Sequence, residues 1–142
     1  MNEEQYDIYL AAPLFNAMEL DFNRNTASML RSCGYKVYLP QEHGICSPEC
    51  ARLTIFTDDV KALQNSKWVV AVLDGIVTDP GVCWELGYAY AESKLVVSYS
   101  TDKRSFMNGH WNNMIDISKG ICFDSIYDII EYIGRHIHEG KI

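Results

Sequence analysis

Uninterrupted apolar runs alternate along the chain with stretches whose apolar positions recur at helical spacing. Trp68-Val69-Val70-Ala71-Val72-Leu73 is the most continuous run. A run without polar interruption predicts a strand covered on both faces, as in a parallel sheet. Further strands are expected at 6–12, stopped by Pro13, at 35–39, closed by Pro40, at 94–99 and at 121–123. Between them, Met18, Phe22, Met29 and Leu30 mark a helix from Asn16 that ends at Cys33-Gly34, glycine being the expected residue just past a helix C-terminus. Residues 53–66 read as a second helix with Ile55, Phe56, Val60 and Leu63 inward, and a last helix is expected from Ser125 to about His138. The stretches 41–52 and 100–119 read as polar connections.

Strands alternating with helices imply right-handed crossovers and a parallel sheet. The expected fold is α/β: a doubly wound, flavodoxin-like three-layer sandwich, its five-stranded parallel sheet in the order 2-1-3-4-5. No linker, repeat or low-complexity tract interrupts it, so residues 1–142 form one domain.

Composition changes the picture only by exclusion. Apolar residues make up 48% and charged residues 22% of 142, which suits an ordered domain able to bury a core. A net charge of −7 and a pI near 4.9 disfavour nucleic acid and anionic membranes as partners. The acidic first residues do not form a signal peptide, no apolar run reaches membrane-spanning length, and five scattered cysteines suit a reducing cytoplasm. His43, Cys46 and Cys50 match no standard zinc spacing, so neither metal nor cofactor is expected.

The chemistry concentrates between Asp74 and Glu92. Asp74, Asp79 and Glu85 converge near the carboxyl end of the third strand, where open α/β sheets bind ligands. Asp79-Pro80 fits a helix start, with Asp as N-cap and Pro in the first turn. Glu85 then sits about one and a half turns into an almost wholly apolar helix, where the positive helix end favours its ionised form. An ionised, partly desolvated carboxylate beside a pocket suits attack on an electrophilic sugar carbon. Asp74 could instead be the phosphorylated acid of a receiver domain. That role also needs acids after strand one and a Lys after strand five, where this chain has Ala11-Ala12-Pro13-Leu14 and Asp124-Ser125.

Ile8-Tyr9-Leu10-Ala11-Ala12-Pro13-Leu14-Phe15, together with Asp79 and Glu85-Leu86-Gly87-Tyr88-Ala89, resembles the nucleoside 2-deoxyribosyltransferases over nearly the whole chain. The resemblance implies transfer of a 2-deoxyribosyl group between nucleobases by a retaining double displacement, the substrates being a 2-deoxynucleoside and a free nucleobase. Glu85 would be the nucleophile, Tyr9 would orient it, and Asp74 would exchange the proton with the base. Asp79 would hold the base or the sugar hydroxyls, with Phe15 and Gln41 at the substrate. Trp111-Asn112-Asn113-Met114 resembles a segment that reaches a neighbouring subunit's site. Asn112 and Met114 would then act in trans, in at least a dimer and by family habit a hexamer; Asn113 stands where the family often has an apolar residue. Two alternatives compete. One is hydrolysis of 2-deoxynucleoside 5′-monophosphates, for which Ser100, Lys103 and Arg104 would supply part of a phosphate cradle. The other is a non-catalytic nucleotide-sensing module.

Overall fold

The computed structural model describes residues 3–43, 51–104 and 111–137. Its sheet is five-stranded and parallel throughout, in the order β2-β1-β3-β4-β5. The strands are β1 (Tyr6–Ala11), β2 (Val37–Tyr38), β3 (Ser66–Val72), β4 (Leu95–Tyr99) and β5 (Ile121–Phe123). The helices are α1 (Ala17–Ser32), α2 (Ala51–Gln64), α3 (Pro80–Ala91), α4 (Asn113–Ser118) and α5 (Ile126–His136), with a 3-10 turn at Pro40–Glu42. This is the flavodoxin-like arrangement expected from the pattern of runs.

Strand alternation sorts the core into two layers. Ile8, Leu10, Trp68 and Val70 point to one face, where Ala27 and Leu30 of α1 and Ile126, Ile129 and Ile133 of α5 cover them. Tyr9, Ala11, Val69 and Ala71 point to the other, under Leu63 of α2 and Val82, Leu86 and Ala89 of α3. The period of two therefore decides that Tyr9 faces the helix that carries Glu85.

Three expectations are corrected. Residues 100–119 are not all irregular, because α4 forms there, started by Asn112, whose side chain accepts from the Met114 N–H. Ile55 and Phe56 do not point inward; they are 38% and 53% exposed, and Ala62 and Leu63 provide the buried side of α2. Met18 is likewise exposed, its place in the α1 core taken by Asn23, Thr26 and Ala27.

Two glycines fix the connections around the site. Gly75 has φ +137°, and a Cβ there would lie 2.8 Å from the Val77 carbonyl oxygen. At Gly120, with φ +65°, a Cβ would meet the Val96 carbonyl oxygen at 2.1 Å, so the chain enters β5 only with no side chain. Among the described residues no helix is long and apolar enough to cross a membrane.

Candidate active site

Asp79 starts α3 as the sequence predicts: its side chain accepts from the Val82 N–H at 3.1 Å and Pro80 occupies the first turn. Glu85 follows on the side of the helix that faces β1 and α2. There the Tyr9 hydroxyl, itself fully buried, donates to Glu85 Oε1 at 3.0 Å. Burial and the neighbouring acids Glu85 and Asp59 push the Tyr9 phenol far above its usual range, so it is a permanent donor.

The expectation that the helix end keeps Glu85 ionised is not met by the surroundings the fold gives it. Burial raises its carboxyl to about 8; the Tyr9 hydrogen bond pulls the other way, and the negative fields of Asp59 and Asp79 add to the rise. Desolvation outweighs the helix end because the helix effect is worth only about 0.3–1 kcal/mol and fades beyond the first turn.

Asp59 was not singled out by the sequence pattern. It lies on α2, and its Oδ1 accepts from the Tyr38 hydroxyl at 2.9 Å. Burial raises its carboxyl; Tyr38 and then His43 oppose that rise, and Asp58 adds to it. The signal available in the sequence was an acid three residues after Phe56 on one helix face, which no local rule separates from a solvated one.

Asp74 is committed elsewhere. Its two oxygens accept from Ser100 Oγ at 3.2 Å, the Thr101 N–H at 2.6 Å, Thr101 Oγ1 at 2.6 Å and the Asp102 N–H at 2.9 Å. It ties the turn after β4 to the end of β3, and it is not among the groups whose charge acts on Glu85. The hydrogen bonds of Asp74 thus run to the Ser100–Asp102 turn, and the acids whose charge acts on Glu85 are Asp59 and Asp79.

Gln41 is also occupied, donating to the Leu20 carbonyl at 2.9 Å and accepting from Asn23 Nδ2 at 3.0 Å. Asn23 in turn donates to the Pro13 carbonyl, so Gln41 braces the loops after β1 and β2 against each other. Phe15 stands 77% exposed on the first of these loops. Ser100 is engaged by Asp74, and Arg104 donates through Nε and Nη2 to both oxygens of Asp102. The side chains considered for a phosphate cradle are thus turned to internal partners, Lys103 excepted.

A cleft of about 1000 Å³ lies on the other side of α3. Val77, Cys83, Gly87, Tyr90, Trp111 and Met114 line it, whereas Glu85, Tyr9 and Asp59 do not. At about 100° per residue Glu85 projects roughly opposite Cys83 and Gly87. Asn112 and Met114 are exposed on that cleft, so one chain does not bring them to its own Glu85. Cys46 and Cys50 lie outside the described residues; among those described, no cluster of three or more His, Cys, Asp or Glu is placed to hold a metal.

A family model described as nucleoside 2-deoxyribosyltransferase matches residues 8–132, and the chain belongs to that family. Among solved structures, a conserved protein from Enterococcus faecalis V583 is 27% identical with a TM-score of 0.77, over 94% of this chain and 99% of that one. A 2-deoxyribosyltransferase from the psychrotolerant bacterium Bacillus psychrosaccharolyticus is 28% identical with a TM-score of 0.72, over 89% and 91%. A CMP N-glycosidase from Clostridium botulinum shares the fold at 16% identity and a TM-score of 0.55, over 92% and 98%. Comparison with curated protein sequences gives no significant match. Family and the Bacillus neighbour together indicate an enzyme of the deoxyribosyltransferase type.

Proposed function

We propose that the protein moves a 2-deoxyribosyl group from one nucleobase to another, with Glu85 as nucleophile. The observation that carries this is the Tyr9–Glu85 hydrogen bond of 3.0 Å in a buried setting, inside a chain of this family. Tyr9 occupies Oε1 and leaves Oε2 to attack the anomeric carbon. As that C–O bond forms, the carbon–nitrogen bond to the base breaks and its electron pair passes to the base nitrogen, which takes a proton from a second carboxyl. In the return step the incoming base nitrogen attacks the same carbon, the Glu85 ester bond breaks, and the base proton passes to that carboxyl. Two inversions give retention.

For the second carboxyl we favour Asp59 over Asp74. It is half-buried, its proton affinity is raised by burial, and its charge acts on Glu85. Asp79 is the candidate for the sugar hydroxyls. Asn112 and Met114 are assigned to the site of a neighbouring copy in a homo-oligomer, since their exposure on the far cleft makes them available to one.

Transfer is favoured over hydrolysis of a 5′-monophosphate by the engagement of Arg104 with Asp102, which leaves no guanidinium free among these residues for a phosphate. Incubation with thymidine and free adenine is expected to yield deoxyadenosine, on a profile that rises with pH through about 8 as Glu85 ionises. Glu85→Ala is expected to lower exchange by at least about 10³-fold while the protein stays folded. Undiminished exchange in that variant removes the nucleophile; thymine release without deoxyadenosine identifies a hydrolase.

A further inference from the structure

Tyr38 stands to Asp59 as Tyr9 stands to Glu85. The two tyrosines are paired across adjacent parallel strands, in register, on the same face of the sheet. Their rings stack at 5.4 Å with planes 13° apart, and each hydroxyl donates to a different carboxylate, at 3.0 and 2.9 Å. His43 stacks on Tyr38 at 4.1 Å and 10°, and Tyr6 meets it edge-on at 5.2 Å. Tyr38 is 3% exposed, so stacked rings and a ring edge hold its hydroxyl in place.

We propose that Tyr38 is a positioning residue of the transfer reaction: it fixes Asp59 at the site as Tyr9 fixes Glu85. The inference rests on the proposed roles of Glu85 and Asp59. Asp59 lies where its charge reaches Glu85, so its orientation bears on the same site. A phenol donor favours the ionised form of whichever acid it touches. Double displacement needs Glu85 ionised and Asp59 protonated when the first base leaves. It needs Asp59 ionised when the second base arrives, and Glu85 is then an uncharged ester. A donor held in one place keeps the Asp59 oxygens aimed the same way in both of those states.

The groups whose charge acts on Asp59 are His43 after the Pro40–Glu42 turn and Asp58 on its own helix, beside the Tyr38 hydroxyl of β2. Asp59 in turn acts on Tyr9 of β1 and Glu85 of α3. His43 favours the ionised acid and Asp58 opposes it. Tyr38 is the one uncharged donor bonded to Asp59 among the described residues.

The test uses the whole chain with carbon-13-labelled carboxyls, the Asp59 signal being assigned by its loss in Asp59→Asn. Tyr38→Phe keeps the ring stack and deletes the donor. Its Asp59 titration midpoint is expected to rise by about one pH unit, as loss of a charge-assisted hydrogen bond predicts. Thymidine-to-adenine transfer is expected to slow by about tenfold in kcat, with KM for thymidine changed less than about threefold. Replacement of Tyr38 by 3-fluorotyrosine, a stronger donor of nearly the same shape, is expected to move the midpoint down, which covers the case of a poorly folding Phe variant. An unmoved Asp59 midpoint and unchanged pH–rate profile in these variants overturn the role of Tyr38, even where Glu85→Ala is inactive. Retained exchange in Glu85→Ala instead overturns the transfer reaction itself, whatever Tyr38 does.

Discussion

Helix α3 divides two regions that differ in packing, polarity and openness. On one side Glu85 meets Tyr9 and the field of Asp59 in a closed layer between β1 and α2. On the other, Cys83, Gly87 and Tyr90 border an open and mainly apolar cleft that ends at α4. The larger space carries no acid–tyrosine pair, and the acid–tyrosine pairs lie outside it. Cavity size is therefore a poor guide to altered proton affinity here, because Glu85 owes its own to tight surroundings. An open apolar face also suits an element supplied by another copy, which is where Asn112 and Met114 would do their work.

Three changes would break or sharpen that contrast. The largest effect is expected on the closed side, where Tyr9→Phe should lower kcat/KM for transfer by roughly a hundredfold, the scale of losing one preorganised donor. Its profile should also need a higher pH than the wild type, since losing the donor raises Glu85 further; an unmoved acid limb would mean that Tyr9 only packs. On the open side, Asn112→Ala and Glu85→Ala should each be inactive, yet unfolded, mixed and refolded together they should recover about a quarter of wild-type activity, the statistical yield of intact shared sites in mixed dimers. No recovery would put both residues in the same chain's site. The smallest effect is on stability. The folded value of Glu85 lies above its unfolded one, so the native state holds an extra proton and stability falls as pH rises from 4.5 through about 8. Glu85→Gln should therefore be more stable than the wild type above that range by about 2 kcal/mol, a figure reduced from full linkage for partial solvent screening. Below the range the gain should vanish; denaturant melts at both ends measure it.

Much of this was legible in the chain because local signals and global packing agree. Pro13 and Pro40 stop strands where the sheet ends them, Gly34 follows α1, and the run from Trp68 reads as a central strand and is one. Asp79-Pro80 announced α3 and so placed Glu85. What stayed hidden depends on contacts distant in sequence. Asp59 gains its standing from Tyr38, 21 residues away, and nothing near it marks the pair. Asp74 does lie at a strand end, and the Ser100–Asp102 turn that returns to the same point, 26 to 28 residues on, hydrogen-bonds its oxygens. Phe56 looked inward by spacing, yet it packs on exposed Trp84 at 5.6 Å, so the apolar stripe of α2 extends over the surface. Helix α4 was missed because six residues, started by an asparagine within a polar stretch, give too short a period to recognise.

The single hydrogen bond from Tyr9 has one more consequence. A free carboxylate is symmetric, its two oxygens exchanging by rotation and sharing charge equally. With Oε1 held by Tyr9, Glu85 loses that equivalence, and one oxygen becomes a spectator while the other points the remaining electron density in a fixed direction. The tyrosine thus gives the side chain a direction, with one defined oxygen left to face whatever enters beside it.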